Sequence, residues 1–233
     1  MLVTAELLSR FPLLKPLGAD ILAVIAGNCQ SQKFTRREIV LHAGKREDHL
    51  CFLFEGRLQG VDFTIDGREV GLFFVEPGGF CGEIGLFDEE PQPEYVIALT
   101  SAVVVFLPHA VMRDIMMQSP KISGTLASKL AARIRQMTFQ RTLLGLPNIG
   151  QRVCSQLWSM VAEVGRDEAS EIEIRNLPTH MEIAIMLSVS RETVTRIFQS
   201  LQNRQIVKRD GPAKLIILQP SALRALAEGK EQL

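Results

Sequence analysis

The chain has 233 residues, with 26 Lys and Arg against 26 Asp and Glu and 46% hydrophobic side chains. That length allows two modest domains with a core each, and the formal net charge of zero excludes a global electrostatic pull toward nucleic acid or membrane. Cys29, Cys51, Cys81 and Cys154 are dispersed and form no Cys-x-x-Cys pair, which argues against a disulfide framework or an iron–sulfur cluster and predicts a reduced, cytoplasmic chain.

The opening "MLVTAELLSRFPLLKPLGAD" lacks the basic flank and cleavage site of a signal peptide. No run approaches the roughly 18 apolar residues of a membrane span, so no membrane partner is expected. Residues 21–29 read as a short helix. From 34 to 107 short β-rich runs alternate with glycine turns, and Asp66-Gly67 is a hairpin signal between strand-length runs. This pattern predicts an antiparallel β barrel or roll. Pro108 closes it. A helix over 110–118 and a long one over 120–144, with Pro120 at its first position, come next. Ala127, Leu130, Ile134, Met137 and Leu144 fall at heptad a and d positions of the long helix, with Arg141 breaking the pattern. The spacing predicts a homodimer interface; the alternative is a helix lying on its own domain.

"GLPNIG" marks a boundary. A helix over 151–164, the acidic stretch "GRDEASEIEIRNLP" and two short helices over 179–187 and 190–203 follow, and then the hairpin "IVKRDGPAKLIIL". The two short helices have helix-turn-helix proportions. Thr179 with Glu182 forms a capping box, Ser188 stands in the turn, and Ser190 caps the second helix. Ile183, Leu187, Val189, Val194 and Ile197 would join the pair into one core. Arg191, Glu192, Thr195 and Arg196 then project from the first turns of the second helix, where base-reading side chains belong. Arginine takes guanine bidentately and glutamate accepts from the cytosine amino group. Between Met186 and Ile216 the cations are Arg191, Arg196, Arg204, Lys208, Arg209 and Lys214, opposed by Glu192 and Asp210. A local basic face is therefore hidden in a neutral chain; the alternative is a solvated helix face. Lys208, Arg209 and Lys214 on the hairpin are expected near phosphates.

The segment "HMEIAIMLSVSRETVTRIFQSLQNRQIVKRDG" resembles the winged helix-turn-helix of the CRP/FNR (cyclic AMP receptor protein) family. "GGFCGEIGLF" and "EGRL" are similar to that family's β-roll signature, and the likeness runs in order along nearly the whole chain. It implies an α+β protein in three parts. Residues 1-108 form a cyclic-nucleotide-binding-like β-roll sensor with an N-terminal helix, 109-145 the connecting and dimerisation helices, and 146-233 the DNA-binding domain. It further implies a dimeric, effector-responsive transcription regulator, not an enzyme, acting on palindromic double-stranded DNA. The residues matching Arg191, Glu192 and Arg196 read a TGTGA-like half-site, and those matching Thr179 and His180 contact phosphates. Consistent with a non-enzyme, the sequence holds no P-loop, His-Glu-x-x-His or Gly-x-Ser-x-Gly motif.

Relatives that bind cyclic AMP hold its phosphate with an Arg-Ser pair and its ribose with the glutamate matching Glu83, beside Gly82. Here Gln92 and Pro93 stand at the Arg-Ser place, among Asp88, Glu89, Glu90 and Glu94. A buried phosphate without a cation is costly. The adenine-contacting pair aligns with Met137 and Thr138, and the first of these is apolar. The resemblance therefore implies an effector other than cyclic AMP, its identity open among an apolar or acidic metabolite and a redox signal; a vestigial pocket is the alternative. Glu83 could instead tie off a glycine turn. Cys81 reads as a core cysteine rather than a haem ligand, and His109 as a cap of the strand-to-helix junction, so no metal site or cofactor is assigned. The acidic segment 163–173 is a candidate contact for RNA polymerase, or simply solvated surface.

Overall fold

The computed structural model describes residues 1–164 and 171–233 and divides into two compact units, Met1–Arg135 and Gln136–Leu233. The first unit begins with α1 (Ala5–Leu8) and α2 (Ala19–Asn28), followed by β1 (Gln30–Phe34), β2 (Ile39–Leu41), β3 (His49–Glu55), β4 (Leu58–Phe63), β5 (Glu69–Val75) and β6 (Phe80–Cys81). A short helix, α3 (Ile84–Asp88), precedes β7 (Tyr95–Ala98) and β8 (Ala102–Pro108), then α4 (His109–Gln118) and α5 (Pro120–Leu144). The strands form two four-stranded antiparallel sheets, ordered β1-β8-β3-β6 and β2-β7-β4-β5. This is the antiparallel roll that the alternating strand signals predict.

Strand periodicity explains how the roll is filled. Successive side chains point to opposite faces, so β3 sends Leu50 and Phe52 to one cluster and Cys51 and Leu53 to another. β8 does the same, with Val105 and Leu107 on one side and Ala102 and Val104 on the other. The first cluster includes Phe11 and Leu14 near the N-terminus, Met112 of α4, and Ile122 and Leu126 of α5. The second is the roll interior, where Leu58, Phe73, Val75 and Val96 meet. The Asp66-Gly67 turn forms as expected, with Gly67 at φ 78° and the Thr64 N–H bonded to Arg68 O at 2.9 Å.

The second unit contains the last residues of α5, then α6 (Ile149–Val164), β9 (Ile172–Ile174), α7 (His180–Leu187), α8 (Arg191–Asn203), β10 (Val207–Arg209), β11 (Leu215–Ile217) and α9 (Pro220–Ala227). Its sheet is ordered β10-β11-β9. Val153, Leu157, Ile183, Leu187, Val194, Phe198, Leu215 and Leu223 share its core with Leu143. The α9 helix extends beyond what periodicity predicted. Among the described residues no helix is long and apolar enough to cross a membrane.

Candidate functional site

In the second unit, local chemistry sets the helix-turn-helix. The Thr179 side chain accepts the Glu182 N–H at 3.3 Å, and the Glu182 carboxylate accepts the Thr179 N–H at 2.8 Å. This is the capping box, and it starts α7. The helix stops at Ser188, which adopts φ 53° and ψ 47°. A residue with a side chain is strained in that left-handed region, and the turn requires it there. Ser190 then accepts the Thr193 N–H at 3.1 Å and starts α8. Ile183, Leu187 and Val194 are fully buried, and Val189 and Ile197 pack half-buried against them. With that face fixed in the core, Arg191, Glu192 and Arg196 are left exposed on the opposite face.

The wing is less basic than its sequence. Lys214 bridges Glu173 at 2.8 Å and Asp210 at 3.0 Å. Register explains this, because β9 lies beside β11 with Glu173 opposite Ile216. These ion pairs lower the Glu173 pKa and raise that of Lys214. Arg209 donates to the turn carbonyls of Gly211 at 3.2 Å and Pro212 at 2.7 Å, and faces His180 at 3.1 Å. Arg204 donates to Gln232 O at 2.9 Å. Among the described residues, Arg191, Arg196, Arg204 and Lys208 are the exposed cations of this segment without an ion pair, and of these Arg204 is held by the Gln232 carbonyl. The exposed cations not tied to a carbonyl or a carboxylate are therefore Arg191, Arg196 and Lys208, fewer than the six read from sequence. Thr195 and His180 also differ from expectation. The Thr195 hydroxyl donates to Arg191 O at 2.9 Å and faces His180 Nδ1 at 2.9 Å, so it is engaged inside the domain.

In the roll, Gly82 adopts φ 83°, and a Cβ there would sit 2.7 Å from His49 O. That turn presents Glu83 as the cap of α3, with its side chain 1% exposed. Its partner is Arg133, on α5. The guanidinium bonds Glu83 and also Glu94 at 3.2 Å, and lies 3.5 Å from the Phe73 ring centroid. Gly60 makes room for that ring, since a Cβ there would meet it at 2.1 Å. Gln92 Nε2 donates to Glu94 at 3.0 Å. Glu83 therefore does not tie off a glycine turn. The cation missing from the acidic loop comes instead from a helix fifty positions away in sequence. The clue was its spacing: Arg133 stands four residues before Met137, one turn along the same helical face.

The fit to a nucleotide phosphate is poor. Arg133 is 10% exposed and already held by two carboxylates, and Glu83 keeps a second buried oxygen without a hydrogen-bond donor. Burial, reinforced by Glu83, raises the Glu94 pKa, and Arg133 opposes the shift. Of the other pocket residues read from sequence, Gln92 is buried beside Glu94, whereas Pro93 is exposed. Met137 and Thr138 are exposed on the part of α5 that belongs to the second unit.

Cys81 lies in the roll core opposite Cys51, as a core cysteine would. His109 opens α4 as expected of a junction cap, and its Nε2 faces Gly82 O at 3.0 Å. Burial lowers its pKa. Among the described residues no cluster of three His, Cys, Asp or Glu side chains is placed to hold a metal ion. Residues 165–170 of the acidic segment considered for RNA polymerase lie outside the described residues.

Comparison with known proteins matches one family model within each unit. Residues 31–119 match the cyclic nucleotide-binding domain, and residues 151–226 match the Crp-like helix-turn-helix domain. The chain is 26% identical over 211 residues to the CRP-like cAMP-activated global transcriptional regulator of Mycobacterium tuberculosis, covering 91% of this chain and 94% of that protein. It is 26% identical over 199 residues to the cAMP-activated global transcriptional regulator Vfr of Pseudomonas aeruginosa, covering 82% and 91%. The fold is similar to that of FixK2 from Bradyrhizobium japonicum, with a TM-score of 0.71 and 18% identity over 85% of this chain and 96% of that one.

Proposed function

The chain belongs to the CRP/FNR family of DNA-binding transcription regulators, and from that premise we propose that it works in the cytoplasm as a homodimer gated by an effector other than cyclic AMP. One observation carries the effector reading: Arg133 is locked between Glu83 and Glu94, where an anionic phosphate would need a free cation. The relatives named above are cAMP-activated; the cation held by Glu83 and Glu94 is what sets the present reading apart from theirs. The same ion pairs also favour a second reading, an effector-independent regulator in which Arg133 satisfies the roll by itself.

Isothermal calorimetry with cyclic AMP tests the first part. No binding at physiological concentration is expected, and a micromolar dissociation constant would overturn it. A thermal-shift screen with nucleotides, haem and organic acids separates the two readings, because a ligand that binds the folded state raises the melting temperature.

On the DNA side, Arg191, Glu192 and Arg196 are the proposed base readers. Thr179 and Ser190, both at helix starts, and Lys208 are proposed to face the backbone. A dimer would present its two α8 helices to half-sites about one helical turn apart, hence to a palindrome. Site selection from random DNA checks this. Arg191→Ala or Arg196→Ala should cost about 1 to 3 kcal/mol and relax preference at one base pair. Lys208→Ala should weaken binding to all sequences and flatten the salt slope by roughly one unit. An unchanged selected site in both arginine variants would make α8 a phosphate clamp.

A further inference from the structure

His180 opens α7 at a place where the family resemblance predicts a phosphate contact, yet both of its ring nitrogens are engaged within the protein. Nε2 faces Arg209 Nη1 at 3.1 Å, and Nδ1 faces Thr195 Oγ1 at 2.9 Å. A guanidinium has only donors to offer, so Nε2 accepts and carries no proton. The single proton of the neutral ring then sits on Nδ1 and is donated to Thr195, whose own hydroxyl hydrogen goes to Arg191 O. The ring packs on Phe198 with centroids 4.5 Å apart. Arg209 meanwhile grips the wing turn through the Gly211 and Pro212 carbonyls. One imidazole therefore joins the start of α7, the first turns of α8 and the wing.

We propose that His180 is a positioning residue for DNA recognition, clamping the wing to the recognition helix as the neutral Nδ1–H tautomer instead of gripping a phosphate. The proposal rests on the reading of α8 as the recognition helix. The charged groups bearing on the ring are Arg209 from β10 and Arg191 from α8, both cations; Glu182 on its own helix is engaged in the capping box. Burial, with these two charges, holds the imidazole below the ordinary histidine value of 6.5. Protonation would set an N–H on Nε2 against the N–H of Arg209. The unfolded chain takes up its proton near the ordinary value, and the folded one only below it. The clamp is therefore complete above that pH and is lost as the pH falls from there through the folded value. A phosphate-gripping histidine behaves in the opposite way, because an imidazolium binds DNA more tightly.

The test uses the full chain and a duplex carrying the selected site, with affinity measured from about pH 8 to about pH 5.5 at fixed ionic strength. Affinity is expected to fall in acid by roughly two- to tenfold, the range of one lost hydrogen bond. His180→Gln should remove that pH-dependent part, and any contribution from His42, His49 or His109 would survive in the variant. Nitrogen-15 spectra of the wild type should show Nδ1 protonated and Nε2 bare at neutral pH. Tighter binding in acid, an Nε2–H tautomer, or an undiminished pH profile in His180→Gln would each overturn the proposal. Failure of the recognition-helix reading would appear separately, as loss of sequence selection at every pH.

Discussion

Arg133 shows how far a single side chain can decide what a pocket accepts. Its charge is buried between two carboxylates, and removing it leaves them facing each other without a cation. Breaking a buried pair in this way costs about 3 to 5 kcal/mol. Arg133→Ala should therefore lower the melting temperature of the roll markedly, and adding Glu83→Gln should restore much of the loss. A negligible shift in scanning calorimetry would show that the cluster contributes little. Glu94 has the opposite sign. Its folded pKa lies above the ordinary value, so the folded chain protonates first, and the ionised form costs stability as pH rises through that value. Glu94→Gln should thus cost far less at neutral pH than Arg133→Ala. Glu83 was legible through the likeness of "GGFCGEIGLF" to the family's β-roll signature. The sequence hid Arg133, because its pairing partners lie far away in sequence and the helix pattern around it points first to its apolar positions.

The long helix α5 divides its apolar residues by face. Ile122 and Leu126 are buried in the roll unit, and Leu143 is buried in the second unit's core. Ala127 and Met137 are exposed, Met137 by 57%, and Leu130 and Leu144 are half-buried. Ile134 is 65% exposed. A face with this heptad spacing is suited to a second copy of the same helix. Leu130→Glu combined with Met137→Glu should yield monomers by sedimentation and abolish operator binding; an unchanged dimer would remove α5 from the interface. Helix bounds that rest on caps were legible to within a residue or two. Pro120 starts α5, Thr179 precedes α7 and Ser190 precedes α8. The helices that were missed early in the chain are short: α1 spans four residues and α3 five. α9 did carry a signal, Pro220 at its first turn with Leu223, Leu226 and Ala227 buried, but eight residues hold barely two turns of period.

At the scale of the whole chain, two units with separate cores imply separate unfolding. Leu53 is fully buried in the roll and Leu157 fully buried in the second unit. Truncating such a leucine to alanine costs about 2 to 5 kcal/mol. Leu53→Ala and Leu157→Ala should each lower a different calorimetric transition, and a single transition shifted equally by both would mean one cooperative unit. The charge pattern matters at the same scale. The formal charge balances to zero, and the wing cancels Lys214 internally against Glu173 and Asp210. A domain that displaces few counterions gains little from bulk chromosomal DNA, where attraction is almost wholly to phosphate. Such a regulator is expected to spend little of its time on irrelevant sequence. If α8 reads bases as proposed, occupancy of an operator should depend on base reading and change only gently with potassium concentration, which binding measured across a salt series checks.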